Sequence, residues 1–246
     1  MILLAGDSHT TVLKRAHDEL HPSDPLVSNI KIGPLGPGYK LSRRFFKPHK
    51  NRITFNLPMA RNTFLKTTGK QALWFDQNIL YGFSLRMHSF KISQNPTWLR
   101  HAPYELAAEK GKAPISKAAM LEIIKEDIGS TFEFYELLLK NNVPFFTIEG
   151  PPLNENIQVL KRGADKEIIL AVDKAHRHYM QSWLCDKGID IVKAPPAAFT
   201  EEGFLKPEYY ADREGDVRHA NTPYGRLMLQ NVLDYLQSHH KSRLQA

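Results

Sequence analysis

The chain has 246 residues, 42% of them hydrophobic and 24% charged, ordinary globular proportions that supply a sizeable core. A single cysteine, Cys185, excludes an intrachain disulfide, and no apolar run approaches the length of a membrane span. The net charge of +7 admits a polyanionic partner, although no recognisable nucleic-acid-binding motif accompanies it.

Short apolar runs alternate with longer helical patterns along the chain, the rhythm of βαβ units around a parallel sheet. Ile2–Ala5 predicts a first strand, ending in Gly6-Asp7-Ser8-His9. Met1–Ala5 is too short for a signal peptide and has no basic leader, so a cytoplasmic protein is expected. Val12, Leu13, Ala16 and Leu20 then share one helical face. A second strand is expected over Leu26–Ile32, running into Gly33-Pro34-Leu35-Gly36-Pro37-Gly38. The basic run Lys40–Arg52 reads as a solvated loop, with a surface for nucleic acid, an acidic glycan or a phosphorylated carrier as the alternative.

Ile79–Leu85 predicts a third strand, and a long helix follows over Ser116–Lys140 with Ile124, Ile128, Phe132 and Tyr135 on one stripe. Val143–Ile148 is the fourth strand, halted by Gly150-Pro151-Pro152. Ala171–Lys187 has helical character and stops at Gly188, a C-terminal cap; Ile189–Val192 is the fifth strand. Thr222 is the expected N-cap of the last helix and Pro223 its first position, with Tyr224, Leu227, Met228, Val232 and Tyr235 as the buried stripe. Segments 40–76 and 89–114 lack clean periodicity and read as insertions over the active edge of the sheet. The expectation is one α/β domain over residues 1–246, with five parallel strands and helices on both faces.

Ser8 follows the first strand directly, at the carboxyl edge of the sheet where open α/β folds bind ligands. Unpaired amides at the following helix start can stabilise an oxyanion, and Gly6 permits a tight turn. The bland alternative is that Ser8 only caps the helix. Asp216-Val217-Arg218-His219 changes that balance, because a serine nucleophile needs a base and the base needs an acid to fix its tautomer. This spacing lets one short loop deliver both.

An N-terminal Gly6-Asp7-Ser8 and a C-terminal Asp216-x-x-His219-x-Asn221 before the last helix resemble the first and last conserved blocks of the SGNH/GDSL hydrolases. The resemblance implies a flavodoxin-like three-layer sandwich over essentially the whole chain, with Ser8, Asp216 and His219 as the catalytic triad. It implies an oxyanion-hole glycine after the second strand, for which Gly36 is preferred over Gly38. The family's oxyanion asparagine after the third strand is absent, and Arg86 and His88 stand in that region instead. Arg86 is read as replacing the asparagine as an oxyanion donor, with an anion grip or a structural ion pair as alternatives. An acidic residue that accompanies such an arginine in a similar subgroup is missing next to it. His9, His88 and Asn221 are assigned to substrate binding.

No set of three well-spaced metal ligands stands out; His17 with His21, His176 with His178, and His239 with His240 lack support. No metal and no cofactor is expected. Cys185 reads as a buried bystander, and Trp74, Phe75, Phe83 and Trp98 as a mixture of core and pocket wall. The expected activity is a serine-dependent esterase or acyl hydrolase acting on an O-acyl ester, either a small molecule or a glycan. The alternatives are an O-acyltransferase that modifies a polysaccharide and a silent module that holds a glycan or an anion.

Overall fold

The computed structural model describes residues 1–20, 25–75 and 78–240. Its strands are β1 Ile2–Gly6, β2 Ile30–Pro34, β3 Phe46–Pro48, β4 Arg52–Phe55, β5 Ala72–Trp74, β6 Leu80–Ser84, β7 His101–Pro103, β8 Ala113–Ile115, β9 Phe145–Ile148 and β10 Ile191–Val192. Five of them form one sheet in the order β10-β9-β6-β1-β2, with every pairing parallel. This is the flavodoxin-like order, in which the first strand lies inside the second.

β1 is buried at all five residues because both its edges and both its faces are covered, which explains its unbroken apolar sequence. Alternate side chains feed two cores. Ile2 and Leu4 pack with the first helix, Thr10–Asp18, and the last, Thr222–His239. Leu3 and Ala5 face the opposite core, built from helices Pro58–Thr68, Lys117–Lys140 and Lys166–Asp186. Ile124, Ile128, Phe132 and Tyr135 all point into that second core as expected. None of the helices among the described residues is long and apolar enough to cross a membrane.

Several boundaries differ from the sequence reading. Residues Pro25–Ser28 form a helical turn, and β2 begins only at Ile30; a proline at the first position suits a helix start better than a central strand. The first helix ends at Asp18, so Leu20 lies beyond it and is exposed. Asn221, not Thr222, caps the last helix: its side chain accepts from the Tyr224 amide at 3.2 Å. The buried stripe accordingly shifts to Tyr224, Gly225, Met228, Leu229, Val232, Leu233 and Leu236, leaving Leu227 and Tyr235 half-buried. Cys185 is exposed. Gly188 does cap its helix, at φ 67°, while the Ile189 amide reaches back to Leu184 at 2.9 Å.

The basic run is more than a loop. β3, β4 and β5 form a small antiparallel sheet within residues 46–74, with Phe46 opposite Phe55 and Arg52 opposite Trp74. Phe45, Phe46, Ile53, Phe55 and Leu73 enter the core, and the cations stay outside. β7 and β8 make a short parallel ladder, His101–Pro103 against Ala113–Ile115. Trp98 and Phe83 are fully buried in the core, and neither lines the cavity around Ser8.

The first and last helices approach backbone to backbone. A Cβ on Gly225 would lie 2.5 Å from the Val12 carbonyl oxygen, so a side chain there forces the helices apart. Gly225→Ala is expected to cost about 1–3 kcal/mol through overpacking. Urea unfolding measures this directly, and an unchanged midpoint would mean that the helices do not meet this tightly.

Candidate active site

The parallel register brings three strand ends level: Gly6 pairs with Pro34 on one side and with Ser84 on the other. A Cβ on Gly6 would come within 2.2 Å of the Ser84 carbonyl oxygen, so glycine alone permits this approach. Asp7-Ser8-His9, Pro37-Gly38 and Arg86-His88 therefore emerge at one edge of the sheet. The loop before the last helix reaches the same edge, held by an Asn221 amide bond to the Tyr209 carbonyl (3.0 Å).

There His219 Nε2 lies 2.8 Å from Ser8 Oγ, and His219 Nδ1 lies 2.8 Å from Asp216 Oδ2. Asp216 Oδ1 also accepts from the Arg218 and His219 amides, at 3.0 and 3.2 Å. Burial raises the Asp216 pKa, but the His219 hydrogen bond and these amides outweigh it and hold the carboxyl below its ordinary value. Acid, imidazole and hydroxyl thus stand in line, 211 positions apart in sequence between Ser8 and His219.

Beneath Ser8 sits a buried carboxylate, Asp7, 1% exposed. It accepts from the His9 amide (3.0 Å), the Arg86 amide (3.1 Å) and His88 Nε2 (3.2 Å). Burial opposes its ionisation, but the hydrogen bond and charge of His88, with His9 alongside, keep its pKa far below the usual carboxylate range. His9 is buried against His88, with ring centres 4.4 Å apart, and 5.2 Å from the His219 ring. Burial first, and the neighbouring His88 charge second, push the His9 pKa down to about 3 against the pull of Asp7.

Arg86 has a positive φ of 55°, uncommon for a residue with a side chain. Its guanidinium is buried and its Nη2 donates to Asp127 Oδ2, while Lys91 Nζ approaches the other oxygen at 2.9 Å. Asp127 is thus the acid that the sequence reading found missing, supplied by the long helix. Its signal was a carboxylate one position from Ile128, on a stripe that should have been apolar.

The cavity around Ser8 has a volume of about 480 Å³; Gly38 lines it and Gly36 does not. A Cβ on Gly38 would lie 3.5 Å from Arg86 Nη1, whereas one on Gly36 would meet the Leu57 side chain at 2.9 Å, so Gly38 and not the preferred Gly36 stands beside Arg86 at the cavity. His9 and His88 line the cavity as well. Asn221 is not on its wall: its amide nitrogen donates to the Glu208 carbonyl at 2.7 Å and its oxygen caps the helix, so it anchors the loop instead. Phe90, Lys91 and Arg218 complete the wall and were not anticipated.

One trio can be tested as a metal site: Asp7, His9 and His88 bring one ligand atom each within 4.8 Å of one another. Both Asp7 oxygens are already hydrogen-bonded, one of them to His88 itself, so the carboxylate is spent on holding the loops. His176, buried in the layer below, has no hydrogen-bond partner for either ring nitrogen among the described residues, and His178 lines a different cavity. His21 lies outside the described residues.

No protein-family model matches the chain, and no curated protein matches it in sequence. Solved structures do. A proposed acylhydrolase of Bacteroides fragilis is similar with a TM-score of 0.51 at 13% identity, over 96% of this chain and 86% of that one. An acetyl xylan esterase is similar with a TM-score of 0.50 at 12% identity, over 96% of this chain and 100% of that one. A GDSL-like lipase from Bacteroides thetaiotaomicron gives 0.49 at 12% identity, over 96% and 87%. The chain shares the fold of the acylhydrolase and the acetyl xylan esterase, an α/β fold of the kind that the SGNH/GDSL resemblance implied.

Burial of neutral imidazole makes the fold acid-sensitive. His9 and His176 hold pKa values of about 3 against an ordinary 6.5, both chiefly through burial. Between those values the unfolded chain binds protons that the fold refuses, so stability rises with pH across the window and is lost as the pH falls from about 6.5 toward 3. Urea unfolding at pH 7 and pH 5 is expected to show this loss, and His176→Leu to reduce it. Equal losses in both proteins would place the acid sensitivity elsewhere.

Proposed function

We propose that the protein is a serine-dependent ester hydrolase acting on O-acylated carbohydrate, with Ser8 as nucleophile, His219 as general base and Asp216 as its orienting acid. The observation that carries this is the continuous line from Asp216 Oδ2 through the His219 ring to Ser8 Oγ, 2.8 Å at each end. Ser8 Oγ attacks the ester carbonyl and its proton passes to His219 Nε2. The alcohol then departs with that proton, and water, deprotonated by His219, releases the acid from Ser8.

The developing oxyanion needs donors. Among the described residues, the backbone N–H groups of Ser8 and Gly38 donate to no protein acceptor. Arg86 is assigned as the third donor, in place of the family's asparagine. Nη2 is committed to Asp127, while Nη1 lies toward Gly38 on the cavity side. The carbohydrate part of the reading draws on the similarity to an acetyl xylan esterase in fold, and on the hydrogen-bonding side chains of Tyr39, Gln94 and Asn95 on the cavity wall.

Ser8→Ala is expected to lower kcat on short-chain p-nitrophenyl esters and acetylated sugars by about 10⁴-fold or more, with the fold retained. Product analysis with and without a sugar acceptor separates hydrolysis from acyl transfer. A folded variant with near-parental turnover would remove Ser8 from the mechanism, and acyl transfer to sugar in preference to water would replace the hydrolase reading.

Arg86→Lys keeps a cation for Asp127 but removes the planar fork. It is expected to lower kcat about 10²-fold with a smaller change in KM, measured on the same esters. A folded variant with unchanged kcat would leave Arg86 as an ion-pair partner only.

A further inference from the structure

The charge of this chain is segregated. Residues 25–75 contain ten Lys and Arg and no Asp or Glu, so the remainder of the chain, taken together, is slightly acidic. The small sheet β3-β4-β5 organises these cations. Strand alternation sends Phe46, Ile53, Phe55 and Leu73 inward, and puts Lys47, Arg52 and Trp74 on the outer face. That face forms a groove of about 760 Å³, lined also by Arg61 and Lys70 and, among the described residues, by no acidic one. Lys47, Arg52 and Arg61 pair with no carboxylate among the described residues. Arg52 and Lys70 lie over the Trp74 ring at 5.0 and 5.4 Å, so the indole is presented together with two cations.

We propose that this groove binds an anionic polysaccharide, with uronate carboxylates paired to Lys47, Arg52 and Arg61 and a sugar ring set against Trp74. The proposal rests on the esterase reading and names its substrate class, a polymer that carries both acid groups and O-acyl esters. Two observations favour an acidic glycan over a nucleic acid. Among the described residues the groove has one half-buried aromatic platform, Trp74, whereas single-stranded nucleic acids are held by successive ones. The Ser8 cavity is cationic too: Arg86, Lys91 and Arg218 line it, with Asp127 behind the first two, and none of its described lining residues is acidic. The chain passes from that cavity at Pro37–Tyr39 straight into the cationic insertion, and Thr63 Oγ1 ties helix Pro58–Thr68 back to the end of β2 through the Pro34 carbonyl, at 2.6 Å. A polymer recognised by charge in the groove therefore meets a matching wall at Ser8.

The test uses the full chain with oligogalacturonate, neutral xylo-oligosaccharide and single-stranded DNA of matched charge as probes, with binding followed calorimetrically at low and moderate salt. Oligogalacturonate is expected to bind best and to weaken with salt. The double variant Lys47→Glu/Arg61→Glu is expected to lose that binding by tenfold or more, and Trp74→Ala severalfold. Ser8→Ala should bind as the parent does, and the groove variants should keep parental turnover of p-nitrophenyl acetate. The small ester reports on the triad alone, so failure of the esterase reading and failure of the groove reading give different results. Equal binding of the neutral oligosaccharide, tighter binding of DNA, no binding of oligogalacturonate, or undiminished binding by the folded charge-reversal variant would each overturn the proposal.

Discussion

The site depends on one buried charge, the Asp7 carboxylate. It belongs to the loop after β1, yet two of its three hydrogen bonds go to the loop after β6, at the Arg86 amide and His88 Nε2. An ionised carboxylate in the interior is costly unless its oxygens are satisfied, and here each has a donor. Satisfying it fixes the distance between the two loops. The Arg86 amide can reach Asp7 only with the backbone turned into the left-handed region, and that turn sends the side chain toward Asp127. A strained φ of this kind persists when its surroundings determine it from several sides, as these contacts do. Ser8, between Asp7 and His9, takes its position from the same anchor.

A second layer supports the first. Asp173 accepts from Ser89 and from Arg177 (2.8 Å), and Arg177 also donates to the Gly150 and Pro151 carbonyls after β9 (3.2 and 2.7 Å). Glu149 holds the Ala194 amide at 2.8 Å and so joins the ends of β9 and β10. Every strand end at the active edge except that of β2 is thus tied by a carboxylate that is itself paired. Such networks stabilise little when compared with apolar packing, but they specify one arrangement of loops, which is what the proposed nucleophile and base, from opposite ends of the chain, require.

The central strands were legible because they are covered on both faces and so read as unbroken apolar runs. The pairing of Asp216 with His219 was legible for a different reason: both sit in one loop, and a local spacing can be seen locally. What was lost is what tertiary contact decides. Asp127 serves Arg86 across 41 positions, which no spacing rule anticipates. Gly36 and Gly38 are equivalent in sequence, and only the approach of Leu57 to one and Arg86 to the other separates them. β3, β4 and β5 escaped notice because strands of three or four residues show barely one alternation, and the cations around them masked even that. Thr222 was favoured as cap on residue type, but Asn221 both caps the helix and binds the Glu208 carbonyl.

The ion pair below Ser8 bears on why an arginine can occupy the place of an amide. A lone guanidinium beside the serine would carry a full charge into a partly dry cavity, and would hold an anionic ground state as firmly as a transition state. Pairing with Asp127 cancels most of that charge at long range, and burial of both groups fixes the fork without a conformational cost at the moment of reaction. The amino group not engaged by Asp127 keeps its donor character and its direction. In that state Arg86 resembles a neutral amide with two fixed N–H bonds more than a free cation. Positive charge on the cavity wall comes also from Lys91, which shares Asp127, and from Arg218, whose guanidinium lies 5.0 Å over Phe90. On the proposed reading, donation to the oxyanion falls to an arginine that is locked and buried, and attraction of an acidic substrate to one that is exposed.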